Sequence, residues 1–182
     1  TGNLDIETVP FMPSQVIADT VNLMTTSARE KGLELTCDMA SELPEVLRGD
    51  VNRIRQILFN LLSNAIKFTN KGRVRVAVTG STGKDGKYAF EVAVSDTGVG
   101  LTKKDARKLF APYVQASVEV ARKYGGTGLG LSICWRLAEL MDGEIHLESK
   151  RGKGSTFTLS LNLEVGSEKD IIVSLPDAAP VQ

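Results

Sequence analysis

Gln56, Asn60, Asn64 and Lys67 recur at helical spacing inside an otherwise apolar run. At about 100° per residue they fall on one side of a helix. Ile54, Leu58, Leu61, Leu62 and Ala65 take the opposite side, and Ile57, Phe59, Ile66 and Phe68 flank the polar stripe. Amides and an ammonium group walled by hydrophobes are costly unless a partner satisfies them. Amide oxygens suit a hard cation such as Mg²⁺, and an ammonium group suits phosphate. The stripe alone fits an amphipathic helix facing water equally well.

Two glycine-bearing runs add to it. Asp96-Thr-Gly98-Val-Gly100 directly follows a β-rich segment and places a carboxylate at a strand end. There it could accept a hydrogen bond from an exocyclic amine such as that of adenine. Gly126-Thr-Gly128-Leu-Gly130-Leu131 directly precedes a helical pattern. Glycines allow close backbone approach, and a helix N-terminus offers N–H groups to phosphate. Each run by itself also fits a surface turn. The Walker pattern G-x-x-x-x-G-K-[ST] is absent, and so is G-x-G-x-x-G, whose third glycine falls on Leu131.

The elements that must position these residues follow from pattern and punctuation. Residues 4–11 read as a short strand. Pro13 opens a helix to about residue 31, stopped by Gly32. Residues 33–37 alternate like a half-buried strand, and 42–49 read as connecting chain. Asp50 caps the stripe helix, which extends to about Phe68. Residues 73–79 and 88–95 form a hairpin around the turn-rich 80–86. A short helix covers 103–109, another covers about 129–141 until Gly143 breaks it, and 144–149 pairs with 155–163 in a last hairpin. Residues 1–165 read as one domain and 166–182 as a linker-like tail, Pro/Ala-rich at its end. The expected architecture is α+β, a mixed sheet covered by helices on one face.

The bulk numbers narrow the function classes. The 182 residues suffice for one domain with a real core. Lys+Arg and Asp+Glu are 22 each, so the net charge is zero. That argues against nucleic acid as the main partner. No apolar run approaches a membrane span, and the chain does not open like a signal peptide. Direct membrane contact is not expected. Cys37 and Cys134 sit in apolar-patterned segments and read as buried free thiols, pointing to a cytoplasmic location.

In order along the chain, the pieces resemble the ATP-binding catalytic domain of sensor histidine kinases, relatives of gyrase B, Hsp90 and MutL (the GHKL superfamily). Gly49-Asp-Val-Asn-Arg53 with Asn60-Leu-Leu-Ser-Asn64-Ala-Ile-Lys67 looks like the N box, and Asp96-Thr-Gly98-Val-Gly100 like the G1 box. Leu109-Phe110-Ala-Pro-Tyr113 looks like the F box, with Tyr113 where Phe is usual. Gly126-Thr-Gly128-Leu-Gly130 looks like the G2 box, and Gly152-Lys-Gly154-Ser-Thr156-Phe157 like the last glycine-bearing hairpin. The wording is closest to hybrid kinases, in which a receiver domain follows.

The resemblance implies the Bergerat fold, a two-layer α/β sandwich, with ATP and Mg²⁺ as ligands. It makes Asn64 the main Mg²⁺ ligand with Asn60 beside it, and puts Lys67 on the phosphates. Asp96 would receive the adenine amino group in a pocket shaped by Gly98 and Gly100. Gly126, Thr127, Gly128, Leu129 and Gly130 would close over the triphosphate with a lid at 116–125. In that lid Arg122 and Lys123 reach the phosphates or simply face water. Phe110 would pack the lid base, and Thr156 would complete the nucleotide-binding set.

The one histidine, His146, is expected on a strand surface beside Glu144 and Glu148, outside the family's acceptor motif. The resemblance then implies a catalytic domain without its phosphoacceptor helix pair, expected to be monomeric. It would bind ATP without phosphorylating itself and act on a histidine of another domain. In gyrase and Hsp90 relatives a water-activating Glu stands where this chain has Asn60, and an amide is no general base. A serine kinase of the anti-sigma-factor type and a degenerate binding scaffold are the alternatives.

Overall fold

The computed structural model describes residues 5–110 and 129–174. Helix α2, Val51–Phe68, begins where Asp50 accepts a hydrogen bond from the Arg53 amide at 3.2 Å. The second Asp50 oxygen takes the Glu7 amide at 3.0 Å, tying the N-terminal segment to the helix start. Asp50 is buried, and removing it leaves both donors unmet. Asp50→Ala is therefore expected to lower unfolding free energy by about 2 kcal/mol, read by urea denaturation. An unchanged midpoint would show that the cap is dispensable.

Helix α1, Pro13–Glu30, starts on a proline and ends at Gly32, whose φ of +71° closes the turn. The Leu33 amide reaches back to the Ala28 carbonyl at 2.9 Å, the hydrogen-bond pattern of a glycine-terminated helix. Helix α3, Lys103–Phe110, is capped by Thr102, whose hydroxyl accepts from the Asp105 amide at 3.1 Å. Helix α4 runs Leu129–Leu140. It stops, as expected, before Gly143, whose amide closes onto the Ala138 carbonyl at 2.8 Å after Asp142 adopts a left-handed φ of +55°. Aspartate tolerates that region better than most residues.

The strands are β1 Val9–Phe11, β2 Glu34–Met39, β3 Leu47–Gly49, β4 Arg73–Thr82, β5 Tyr88–Asp96, β6 Glu144–Lys150 and β7 Gly154–Val165. They form one mixed sheet of order β1-β3-β7-β5-β4-β2, with β6 also paired to β7. Only β2 and β4 are parallel among the paired strands. The inward rows carry Val74, Val76 and Val78 on β4, Phe90, Val92 and Val94 on β5, and Leu159 and Leu161 on β7. Ile54, Ile57, Leu58, Leu61, Leu62 and Ala65 of α2 are buried in the same core. Each large side chain there contributes about 1.5–3 kcal/mol of transfer free energy. The expected α+β sandwich is the observed one.

Several local expectations change. The first strand is three residues rather than 4–11, because the Glu7 amide bonds Asp50 instead of a neighbouring strand. Residues 47–49, expected as connecting chain, are a strand held between β1 and the end of β7. Three residues are too few to show alternation. The hairpin turn is shorter than expected, since β4 continues to Thr82 and the Gly83 amide meets the Lys87 carbonyl at 2.8 Å. The tail carries helix α5, Glu168–Ser174, whose Asp170 accepts from the Ser167 amide and lies 3.9 Å from Arg48. Among the described residues, no helix is long and apolar enough to cross a membrane.

Candidate functional site

The apolar rotation of α2 turns its polar stripe to the edge of the core. Asn60 and Asn64 are half-buried, whereas Gln56 and Lys67 are exposed. The flank is more open than expected, because Phe59 keeps 46% of its surface exposed. Gln56 lines a separate open groove with Leu23, Arg55 and Phe59, between α1 and α2. It thus stands apart from the other three. The Lys67 ammonium sits 5.9 Å from the centre of the Phe68 ring.

The C-terminal end of α2 is held from outside. Lys31 Nζ donates to the carbonyls of Ile66 and Lys67 at 2.6 and 3.0 Å, satisfying acceptors that the helix cannot satisfy itself. No local pattern signals this partner, which lies more than thirty residues upstream. Thr69, fully buried, donates its hydroxyl to the Ala65 carbonyl at 2.7 Å.

The loop after β5 hangs from this helix end. The Val99 amide donates to the Phe68 carbonyl at 3.3 Å. At Gly98 a Cβ would strike the Phe68 carbonyl, with the Asp96 carboxylate and Thr69 hydroxyl each 2.9 Å away. Only a residue without a side chain lets these three groups converge. Gly100 has a φ of +65°, and a Cβ there would overlap the Lys150 carbonyl. The first glycine run is thus a close-packed connection between Asp96 and the end of the polar stripe.

Asp96 is 9% exposed. Its Oδ1 accepts from the Gly98 amide at 2.9 Å. Burial pushes its pKa above the usual carboxylate value, partly offset by hydrogen bonds from the Gly98 and Ser155 backbones. A carboxylate set in this wall beside the Thr69 hydroxyl, with two backbone donors, keeps the capacity to accept a further hydrogen bond.

The register places Ser155 opposite Asp96 and Thr156 opposite Ser95. Alternation then turns Ser155 toward the helix face and Thr156 toward the other side of the sheet. The Thr156 hydroxyl lies 3.0 Å from that of Ser95. Thr156 therefore faces the opposite side of the sheet from the Asp96 side chain. The residue beside Asp96 is Ser155, whose hydroxyl is 2.7 Å from Ser149 Oγ. Alternation back from buried Phe157 gives the side of β7 that Ser155 takes, but only the β5–β7 register sets it opposite Asp96.

Cys134, fully buried on α4, links that helix to the stripe: Asn60 Nδ2 donates to its sulfur at 3.4 Å. Burial pushes the Cys134 thiol pKa up, so the group is a neutral thiol at physiological pH. Both cysteines are free, as expected, although Cys37 is only half-buried. His146 is exposed on β6, 3.6 Å from Glu148, also as expected.

Gly130 lies in the first turn of α4, and a Cβ there would meet nothing within 4 Å. Phe110 and Leu129 are placed only as the last residue of α3 and the first of α4. Arg122, Lys123, Gly126, Thr127, Gly128 and the expected lid lie outside the described residues.

The donor set fits a cation that arrives with its own anions. Asn60 and Asn64 supply neutral oxygens, and among the described residues no group of three or more His, Cys, Asp or Glu stands together. Mg²⁺ bound through phosphate needs few protein ligands of that kind.

Comparison with known proteins assigns the family and the fold. Residues 49–165 match the family model for histidine kinase-, DNA gyrase B-, and HSP90-like ATPases. The chain is 38% identical to the signal transduction histidine-protein kinase BarA of Escherichia coli, over 96% of this chain and 19% of BarA. It is also 38% identical to hybrid signal transduction histidine kinase L of Dictyostelium discoideum, over 100% of this chain and 11% of that kinase. The chain therefore spans about a fifth or less of these relatives. Full-length ShkA in complex with AMPPNP superposes with a TM-score of 0.74 at 31% identity, over 92% of this chain and 33% of ShkA. The catalytic domain of histidine kinase ThkA shares the fold at a TM-score of 0.70. With a buried carboxylate joined through Gly98 to an Asn/Lys helix stripe, and with this match across its core, the chain belongs to the HATPase_c family of histidine kinase-, DNA gyrase B-, and HSP90-like ATPases, as a sensor-histidine-kinase ATP-binding domain.

Proposed function

We propose that this domain binds Mg·ATP and donates the γ-phosphate to a histidine on a separate phosphoacceptor domain. The observation that carries the reading is the convergence at Gly98 of the Asp96 carboxylate and the end of the Asn60–Asn64–Lys67 stripe. Asp96 accepts the adenine amino group, and its depth in the wall favours a flat, apolar base. Asn64, with Asn60 beside it, offers amide oxygens on the phosphate side, and Lys67 offers positive charge there. When bound, Mg²⁺ offsets charge on the phosphate oxygens. The acceptor nitrogen forms its bond to γ-phosphorus as the bond to the β–γ bridging oxygen breaks, and ADP leaves with that electron pair. Asn60 has no basic group to activate water, so the site favours transfer to a protein nucleophile over hydrolysis.

Residues 1–165 form the catalytic unit in this reading, and 166–182 lead toward a neighbouring domain such as a receiver. In this reading the isolated domain is monomeric, and it works on the cytoplasmic side.

Titration calorimetry with and without Mg²⁺ tests the assignment. Asn64→Ala is expected to weaken Mg·ATP binding by about tenfold or more, a loss near the 1.4 kcal/mol that one charge-assisted contact supplies. Affinity for ATP in excess chelator should barely move. An Asn64→Ala protein with wild-type Mg·ATP affinity would remove the metal role, and a wild type that binds no nucleotide would remove the function.

A further inference from the structure

Asn60 is held by a residue on a different helix. Its Nδ2 lies 3.4 Å from Cys134 Sγ, and that sulfur lies 3.9 Å from the Ile57 carbonyl of α2. A neutral thiol has one proton. Donated to the Ile57 oxygen, it leaves only sulfur lone pairs facing Asn60. The group presented to them must be a donor, and in an asparagine amide that is the NH₂. The Asn60 oxygen, on the same carbon, is then directed away from Cys134. Cys134 is 0% exposed, so water does not compete for this contact.

We propose that Cys134 is a positioning residue: it fixes which end of the Asn60 amide faces the ligand, presenting oxygen rather than NH₂. The inference rests on the nucleotide reading for its purpose, but not for its geometry. An NH₂ facing the site would repel a cation, whereas an oxygen supports it. Cys134 lies in the second turn of α4, the helix whose first turn includes Gly130 of the second glycine run. The contact thus couples the start of that helix to the polar stripe of α2.

The test uses Cys134→Val, which keeps the volume but offers no acceptor, and Cys134→Ser, which keeps an acceptor and a proton. In the ligand-free protein, ¹⁵N–¹H spectra report the Asn60 side-chain NH₂, assigned by its loss in Asn60→Ala. Its two protons are expected to exchange slowly with water in wild type and Cys134→Ser, and rapidly in Cys134→Val. Mg·ATP affinity should fall about fivefold in Cys134→Val and stay within about twofold in Cys134→Ser. Affinity for ATP in excess chelator should be unchanged in both. In an Asn60→Ala background the valine change should add nothing.

Unchanged Asn60 exchange in Cys134→Val would overturn the proposal, as would equal loss in the valine and serine variants. If Cys134→Val does not fold, Cys134→Ala gives the same readouts. A wild type that binds no Mg·ATP would sink the nucleotide reading, yet the amide exchange in ligand-free protein would still decide the role of Cys134.

Discussion

Asp96→Asn is expected to reduce ATP affinity by about a hundredfold or more while leaving the domain folded and at least as stable. The two side chains have nearly the same shape, so the Gly98 amide keeps an acceptor, now the amide oxygen of the substituted side chain. What changes is the group left for adenine, where an NH₂ replaces a carboxylate oxygen and meets another NH₂. Stability moves the other way. Burial raises the folded-state pKa of Asp96, so the folded protein takes up a proton more readily than the unfolded chain. The contribution of this group is most favourable below the unfolded pKa and is lost as pH rises through the folded pKa. At neutral pH the buried carboxylate is therefore a net destabilising charge, and the amide removes it.

The same reasoning gives a pH profile. ATP affinity of the wild type should fall on acidification beginning above the ordinary carboxylate range, because a protonated Asp96 is a poorer acceptor. The Asp96→Asn protein should show no such step in its residual binding. Calorimetry across pH and thermal unfolding of both proteins measure these effects. Full affinity in Asp96→Asn, or a clearly lower melting temperature, would contradict the assignment.

Leu61→Ala is expected to cost about 3–4 kcal/mol in unfolding free energy. Leu61 is fully buried on the core side of α2, in the same core as the inward rows of β4, β5 and β7. The loss combines transfer free energy with the cavity left in a close-packed layer. For a domain of ordinary stability, about 5–15 kcal/mol, this is a large share. Mg·ATP at a hundred times its dissociation constant should return about 2.7 kcal/mol, since ligand binds only the folded state. Urea denaturation with and without Mg·ATP measures both terms. A loss below about 1 kcal/mol would mean that the core collapses around the gap. The absence of nucleotide rescue would mean that the mutation reaches the site.

Helix α2 was legible because its periodicity is strong and its start is chemically marked by Asp50. The sequence pattern also identified Asp96, because a carboxylate at a strand end before two glycines is a local feature. Strand β3 was not legible, since its partners are β1 and the distant end of β7 and it is too short to alternate. The helix stop at Gly143 was legible, whereas the left-handed residue just before it, Asp142, was not, because several residue types can take that turn.

By itself, the order and wording of the boxes determined the family, the α+β architecture and the polar stripe along α2. Those depend on local period, caps and glycine positions. Tertiary structure alone decided that Ser155 and not Thr156 stands beside Asp96, since the choice rests on strand register across β5 and β7. It alone brought Lys31 to the end of α2 and Cys134 to Asn60. Such contacts join side chains far apart in the chain, and no local periodicity records which distant surface will pack against which.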